Sequence, residues 1–270
     1  GCTVNPRSPA PLTMCTVLPS HEIIHAVWMA LAQADPERAC AGWGKICHWN
    51  MAGSNPDGTT YVMYHWGALP GAGAVQGRDG FNQIGPLNSL GNLIVPNCET
   101  YEQLYPVKFL KHELRCDAAG AGEFRGGSGV EYSAQVEAPA EYAFRGEGQR
   151  TPSGYGVHGG ATGRAGHIDV TLSNGEKFIA PQFGNGSLDA LTVSIDSPAG
   201  GGWGDPLARD PSSVLRDVRD GVVSRDSAFE VYAVVLSLDG RYLDEANTKR
   251  IRELRKTESK HAKAERAADD

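Results

Sequence analysis

The sequence has no uninterrupted apolar stretch near the roughly 18 residues that a membrane-spanning helix needs, which excludes such a helix. It has no basic excess either. Its 25 Lys and Arg stand against 32 Asp and Glu, a net charge of −7, which argues against a nucleic-acid binder with its basic patch. Cysteine is scarce: Cys2, Cys15, Cys40, Cys47, Cys98 and Cys116, with no CxxC pair. Six are too few for a disulfide scaffold. With no signal peptide, they read as reduced thiols of a cytoplasmic protein, and Asn185-Gly186-Ser187 as a chance glycosylation match. No Gly-x-Ser-x-Gly elbow is present, and no Ser/His/Asp or Cys/His set can be assembled from spacing. No Met stands at position 1, so the opening Gly1-Cys2-Thr3-Val4-Asn5-Pro6 reads as trimmed, cut or split from a longer polypeptide.

What the chain has in excess is glycine, 34 of 270 residues, nearly twice the usual share of about 7%. The glycines cluster at 120–129, 154–166 and 200–204 without a repeat, which excludes collagen. Glycine permits positive φ and close backbone approach.

Four prolines among residues 1–19 bar a regular helix there. Ser20 is expected to cap a helix of about fourteen residues that buries Ile24, Val27, Trp28 and Leu31 and stops at Asp35-Pro36. Strands are expected at 61–64, at Val107, Phe109 and Leu110, at 130–136, at 168–172 and at 191–195, with a hairpin turn at Asn174-Gly175. Helices follow at 212–219 and 226–232, and a charged one at 243–266. The fold class is mixed α+β, a largely antiparallel sheet region flanked by helices. Three parts are expected: a mixed part (1–104), a strand-rich part (105–210) and a helical part (211–270).

His21-Glu22-Ile23-Ile24-His25 matches HExxH, whose two imidazoles share a helix face and would grip a zinc ion. The usual third ligand is missing from its place further along, and the motif reads as two surface or interface histidines beside a capping Glu22. The 120–127 stretch lacks the GK[ST] ending of a phosphate loop. It reads as a tight turn in which Arg125 anchors backbone. Successive glycines at Gly200, Gly201 and Gly202 let N–H groups converge on an anion or let another segment pack closely. The turn Gly77-Arg78-Asp79-Gly80-Phe81-Asn82 is a polar, glycine-bracketed loop of the kind that carries function.

Several stretches together resemble the hydantoinase B/oxoprolinase family. They are Gly1-Cys2-Thr3-Val4-Asn5-Pro6, Gly77-Arg78-Asp79-Gly80, Pro96-Asn97-Cys98-Glu99, Glu113-Leu114-Arg115 with Asp117, Gly120-Ala121-Gly122 with Phe124-Arg125-Gly126-Gly127, and 197–211 with Asp217-Val218. In that family the opening stretch falls near the middle of a chain about twice this size. The resemblance therefore implies the C-terminal half of a B-type subunit. It implies three partners: an N-terminal-half chain carrying a divalent metal (Zn, Mn or Fe), an A-type subunit binding ATP and Mg2+, and a small-molecule substrate. No metal is assigned to this chain.

The family activates a cyclic amide by phosphorylation and then hydrolyses it, and its other branch carboxylates ketones such as acetone and acetophenone. The leading expectation is a subunit of an ATP-dependent cyclic-amide hydrolase. The runners-up are a ketone carboxylase subunit, since Val95-Pro96-Asn97-Cys98-Glu99 departs from the NTPVE of lactam hydrolases, and a non-catalytic scaffold. His65, Arg78, Asp79 and Asn82 are expected near the substrate. Gly200, Gly201, Gly202 and Asp205 are expected to shape a loop at the site or at a subunit contact.

Overall fold

The computed structural model describes residues 7–9, 18–55, 57–65, 67–85, 87 and 95–269. Residues 1–6, which carry part of the family resemblance, lie outside this set. The elements run α1 (Leu18–Ala34), β1 (Cys47–Ser54), β2 (Thr60–Tyr64), α2 (Cys98–Leu104), β3 (Val107–Leu114), β4 (Val130–Val136), β5 (Ala140–Gly146), β6 (His167–Leu172), β7 (Lys177–Ile179), β8 (Phe183–Leu188) and β9 (Leu191–Asp196), followed by α3 (Pro211–Arg219), α4 (Arg225–Glu230) and α5 (Glu245–Asp269).

Two antiparallel sheets form, a four-stranded one in the order β2-β1-β5-β8 and a five-stranded one in the order β3-β4-β9-β6-β7. The first takes strands from both sides of residue 105. Alternation along β4, β6 and β9 sends Val130, Tyr132, Val136, Ile168, Val170, Val193 and Ile195 inward. There they meet Trp49, Met51, Met63, Tyr142 and Phe144 of the other sheet in one apolar core.

The expected strands are present, with one refinement. A bulge between Phe109 and Lys111 leaves Leu110 without a ladder partner, and its side chain turns outward. Three strands escaped the sequence reading, β1, β5 and β8, and β7 was implied only by the expected hairpin turn. β1 is buried on both faces over Cys47, His48 and Trp49, so it shows no alternation. β8 (FGNGSL) is a glycine-bearing edge strand that contains the Asn185-Gly186-Ser187 triplet.

α1 starts at Leu18, so Ser20 lies inside its first turn and is not the cap. The inward face also differs from expectation: His21 and His25 are buried, Ile24 and Trp28 half-buried, and Val27 and Leu31 exposed. The stop at Asp35-Pro36 is as expected. α3 begins one residue before its expected start, on Pro211, with Asp210 capping Ser212 and Ser213. α4 ends at Glu230, and α5 covers most of the expected charged helix.

The glycine clusters build a third layer. Gly200, Gly201 and Gly202 donate their N–H groups to Gly127, Gly42 and Ala161 respectively, each at 2.9 Å. Their carbonyls accept from Gly120, Ala74 and Val157 at 2.9 to 3.0 Å. Three successive residues thus face three different neighbours. Glycine is required for the spacing: a Cβ on Gly200 would lie 1.9 Å from the Ala72 oxygen, and one on Gly127 1.9 Å from that of Phe81.

Candidate active site

The turn at residues 77–82 is held through its own Asp79 and Asn82 by three charged side chains from later in the chain, Arg125, Arg209 and Asp217. Arg209, buried at the end of the 3₁₀ turn Pro206–Ala208, is bidentate to Asp79, Nη1 to Oδ1 and Nη2 to Oδ2 at 2.7 Å each. Its Nε and Nη2 reach Asp217 Oδ2 at 3.1 and 2.8 Å, and Nη1 also donates to the Glu123 carbonyl at 3.0 Å. All five of its N–H donors are spent. Arg125 closes the ring: Nε donates to Asp217 Oδ1 at 3.2 Å, Nη1 to Asn82 Oδ1 at 3.3 Å, and its backbone N–H to Asp79 Oδ1 at 2.8 Å. Nη1 also bonds the Gly126 carbonyl at 2.5 Å, so Arg125 anchors backbone as the sequence suggested.

The chemistry of this network is that of a clamp. Burial pushes the Asp79 carboxyl up, but the hydrogen bonds and charge of Arg209, with Arg125, outweigh that and hold it below its ordinary value. Burial works against the Arg209 guanidinium, yet Asp79 and Asp217 hold it more firmly protonated than usual. Asp79 edges a cleft of about 370 Å³ that Gly77, Glu123, Phe124, Asp210 and Ser213 also line. Its carboxylate oxygens are both engaged there, which makes it an anchor and a poor proton acceptor.

Arg209→Met keeps most of the volume and removes all five donors, leaving Asp79 and Asp217 facing each other. The expected loss is about 3–5 kcal/mol, because one side of a buried ion network is left uncompensated. It would be read as a lower urea midpoint with an unchanged denaturant slope. A loss under about 1 kcal/mol would show that the network is not a buried one.

Arg78 points the other way from the same turn. Exposed, it stacks its guanidinium over the Phe81 ring at 4.5 Å and has no carboxylate partner among the described residues. The structure therefore brings Asp79 and Asn82 together through Arg125 and presents Arg78 beside them. It places the other expected residues elsewhere. His65 is buried among Trp49, Tyr101, Phe109 and Tyr132, with ring centroids 4.8 to 6.3 Å away. Its Nδ1 accepts from the Gly67 N–H at 3.2 Å, and burial, with the neighbouring His112, pushes its pKa down to about 3. It is a neutral ring of the core. Asp205 is exposed and accepts from the Leu207 N–H at 2.9 Å. Gly200, Gly201 and Gly202 lie in the buried glycine layer, their N–H groups committed to backbone and not to an anion.

The HExxH residues of α1 do not converge on a metal. His25 Nε2 accepts from the Trp43 N–H at 3.1 Å, the two imidazoles stack edge to face at 4.4 Å, and Glu22 pairs with Lys45 at 2.5 Å. Among the described residues no three His, Cys, Asp or Glu side chains stand together as a metal site.

Arg209 and Asp217 escaped the reading of spacing, which has no handle on residues 46 to 130 positions apart. A second polar group also went unseen. His112 Nε2 stands 3.0 Å from the Gly67 carbonyl and 2.9 Å from the Gln83 side-chain amide, with Cys98 Sγ 4.0 Å from Nδ1.

Residues 1–206 match the family model described as hydantoinase B/oxoprolinase. The chain is 37% identical over 268 residues to the caprolactamase subunit beta of Pseudomonas jessenii, covering 92% of this chain and 44% of that protein. Its fold matches the crystal structure of the ATP-dependent caprolactamase from that organism with a TM-score of 0.75 at 34% identity, covering 92% of this chain and 44% of the other. It is 29% identical over 221 residues to the acetone carboxylase alpha subunit of Xanthobacter autotrophicus, covering 67% of this chain and 28% of that one. The chain thus spans less than half the length of these relatives.

Proposed function

This chain belongs to the hydantoinase B/oxoprolinase family, and we propose that it forms part of the B-type subunit of an ATP-dependent enzyme that opens a cyclic amide. What carries the reading is the 37% identity to a caprolactamase subunit across 92% of the chain. An amide carbonyl resists water because nitrogen donates into it. Moving the γ-phosphoryl group of ATP onto the carbonyl oxygen makes the carbon electrophilic. Water then adds to that carbon, the ring C–N bond breaks as nitrogen takes up a proton, and a second water hydrolyses the resulting acyl phosphate to carboxylate and phosphate.

In this reading ATP and Mg2+ are held by an A-type partner, and the divalent metal by the part of the subunit that this chain does not span. Among the described residues no donor set fits a metal. Its own contribution is a rigid turn. Asp79 and Asn82 fix residues 77–82 through Arg125 and Arg209, and the exposed Arg78 guanidinium meets an anionic group: a carboxylate, or the phosphate of the activated amide.

The test is reconstitution of the chain with an A-type subunit and the remaining B-type part. The expected result is one ADP and one phosphate released per caprolactam opened, without bicarbonate. Incorporation of bicarbonate into a ketone would replace this reading with the carboxylase one, and ring opening without ATP would end both. Arg78→Gln is expected to leave stability within about 0.5 kcal/mol, since the side chain is exposed. It should lower kcat/KM at least tenfold, and an unchanged kcat/KM would remove Arg78 from the site.

A further inference from the structure

α1 turns an apolar row to solvent beside a polar strip formed by Glu22 and Gln33. The stretch LPSHEIIHAVWMALAQA holds no Lys or Arg, its histidines His21 and His25 are buried, and its one carboxylate, Glu22, is paired with Lys45. The inward face is used by His21, His25, Trp28 and Ala32. The opposite face carries Ile23, Val27 and Leu31 at i, i+4 and i+8, about half exposed at 49%, 52% and 54%. Ala26, Ala30 and Ala34 lie beside that row, also exposed. A surface helix of a globular protein ordinarily turns polar side chains outward, and a helix apolar on every side belongs in an interior. Here an apolar row is left uncovered, which marks a docking face.

We infer that the Ile23–Val27–Leu31 face of α1 seats the polypeptide corresponding to the part of the caprolactamase-type subunit that lies outside the region matched by this chain. The inference rests on the proposed function. Two observations choose this occupant. Relatives matched over 92% of this chain are more than twice its length, so each carries a body of comparable size beside this fold. The face also bears no charge, as in permanent interfaces, which resemble a core cut in two; transient ones are as polar as ordinary surface. A lipid surface is disfavoured because the helix has no Lys or Arg to meet anionic headgroups.

The test compares the chain alone with a chimera in which it replaces the matched region of the P. jessenii caprolactamase subunit beta. Val27→Cys is introduced in both and its alkylation by a maleimide followed by peptide mass. Glu176→Cys, in the exposed β6–β7 turn, serves as control. The expected result is labelling at position 27 at least fiftyfold slower in the chimera, with the control unchanged. If the chimera opens caprolactam with ATP yet labels at the free rate, the surface assignment falls and the proposed function stands. If position 27 is protected but the assembled enzyme is inactive, the surface stands and the activity falls. A chimera without one cooperative melt that labels at the free rate overturns both. Protection in the chain alone that vanishes on dilution would assign the face to a second copy and overturn the inference.

Discussion

Gly201→Ala is expected to yield no soluble, cooperatively melting protein. Its methyl group would sit 1.9 Å from the Tyr155 carbonyl oxygen and 2.4 Å from its carbon, against an ordinary separation of about 3.5 Å. Neither partner can retreat. The Tyr155 oxygen accepts from Gly42, Gly42 accepts from Gly201, and Ala74 donates to Gly201. Widening the gap breaks these bonds in a buried layer, at about 1–3 kcal/mol for each group left unpaired. The sum approaches the whole stability of a typical domain, about 5–15 kcal/mol. Gly186→Ala is the control: nothing lies within 4 Å of its Cβ and its φ is not positive. It should change stability by no more than about 0.5 kcal/mol. A Gly201→Ala protein melting within a few degrees of the parent would show that the layer is not packed this way.

The second large effect is acid unfolding. Burial pushes His21 down to about 4 and His25, His48 and His65 to about 3, with neighbouring positive charges adding to the shift in each case. In the unfolded chain all four titrate near 6.5. Above that value both states hold these rings neutral and their full contribution is present. As pH falls through 6.5 the unfolded chain takes up protons that the folded one refuses until about 4 to 3, so stability drops. Four such groups remove about 6 kcal/mol by about pH 5.5. Glu147, raised by burial, has the opposite sign and offsets a fraction. Urea titrations across this range should show nearly four protons bound on unfolding, falling by about one in His65→Phe. Fewer than one proton in the parent would mean that the rings are not buried neutral.

The sandwich was legible where alternation survives. In β4, β6 and β9 one face meets the core and the other does not, and the period shows it. It was illegible at β1, where both faces are covered, and at β8, where glycine replaces the apolar partner. α1 shows the limit of periodicity. Apolar residues at 24, 27, 28 and 31 suggested a single inward stripe, but apolar residues continue round the helix through Ile23, Ala26 and Ala30, and spacing alone cannot say which flank meets this chain. At the site, glycine brackets drew attention to 77–82, and Asp79 and Asn82 do meet there. Arg209, which grips Asp79, and Asp217, which Arg209 and Arg125 share, come from the later part of the chain, and only the fold brings them together. His65 was drawn by residue type, although an imidazole ringed by Trp49, Tyr101, Phe109 and Tyr132 is a packing element.

The central glycine run also bears on how the molecule comes to be assembled. Gly200 to Gly202 bond to residues 42, 74, 120, 127, 157 and 161, partners spread across some 120 positions of sequence. No local stretch contains enough of them to hold the run in place, so its closure must await residues 42 to 202 together. Such long-range dependence slows folding, because many loops must close before any contact repays their entropy. A run of three glycines is usually a tether cut early by proteases. Here its amides should be among the last in the molecule to exchange with deuterium, opening only when the entire body comes apart.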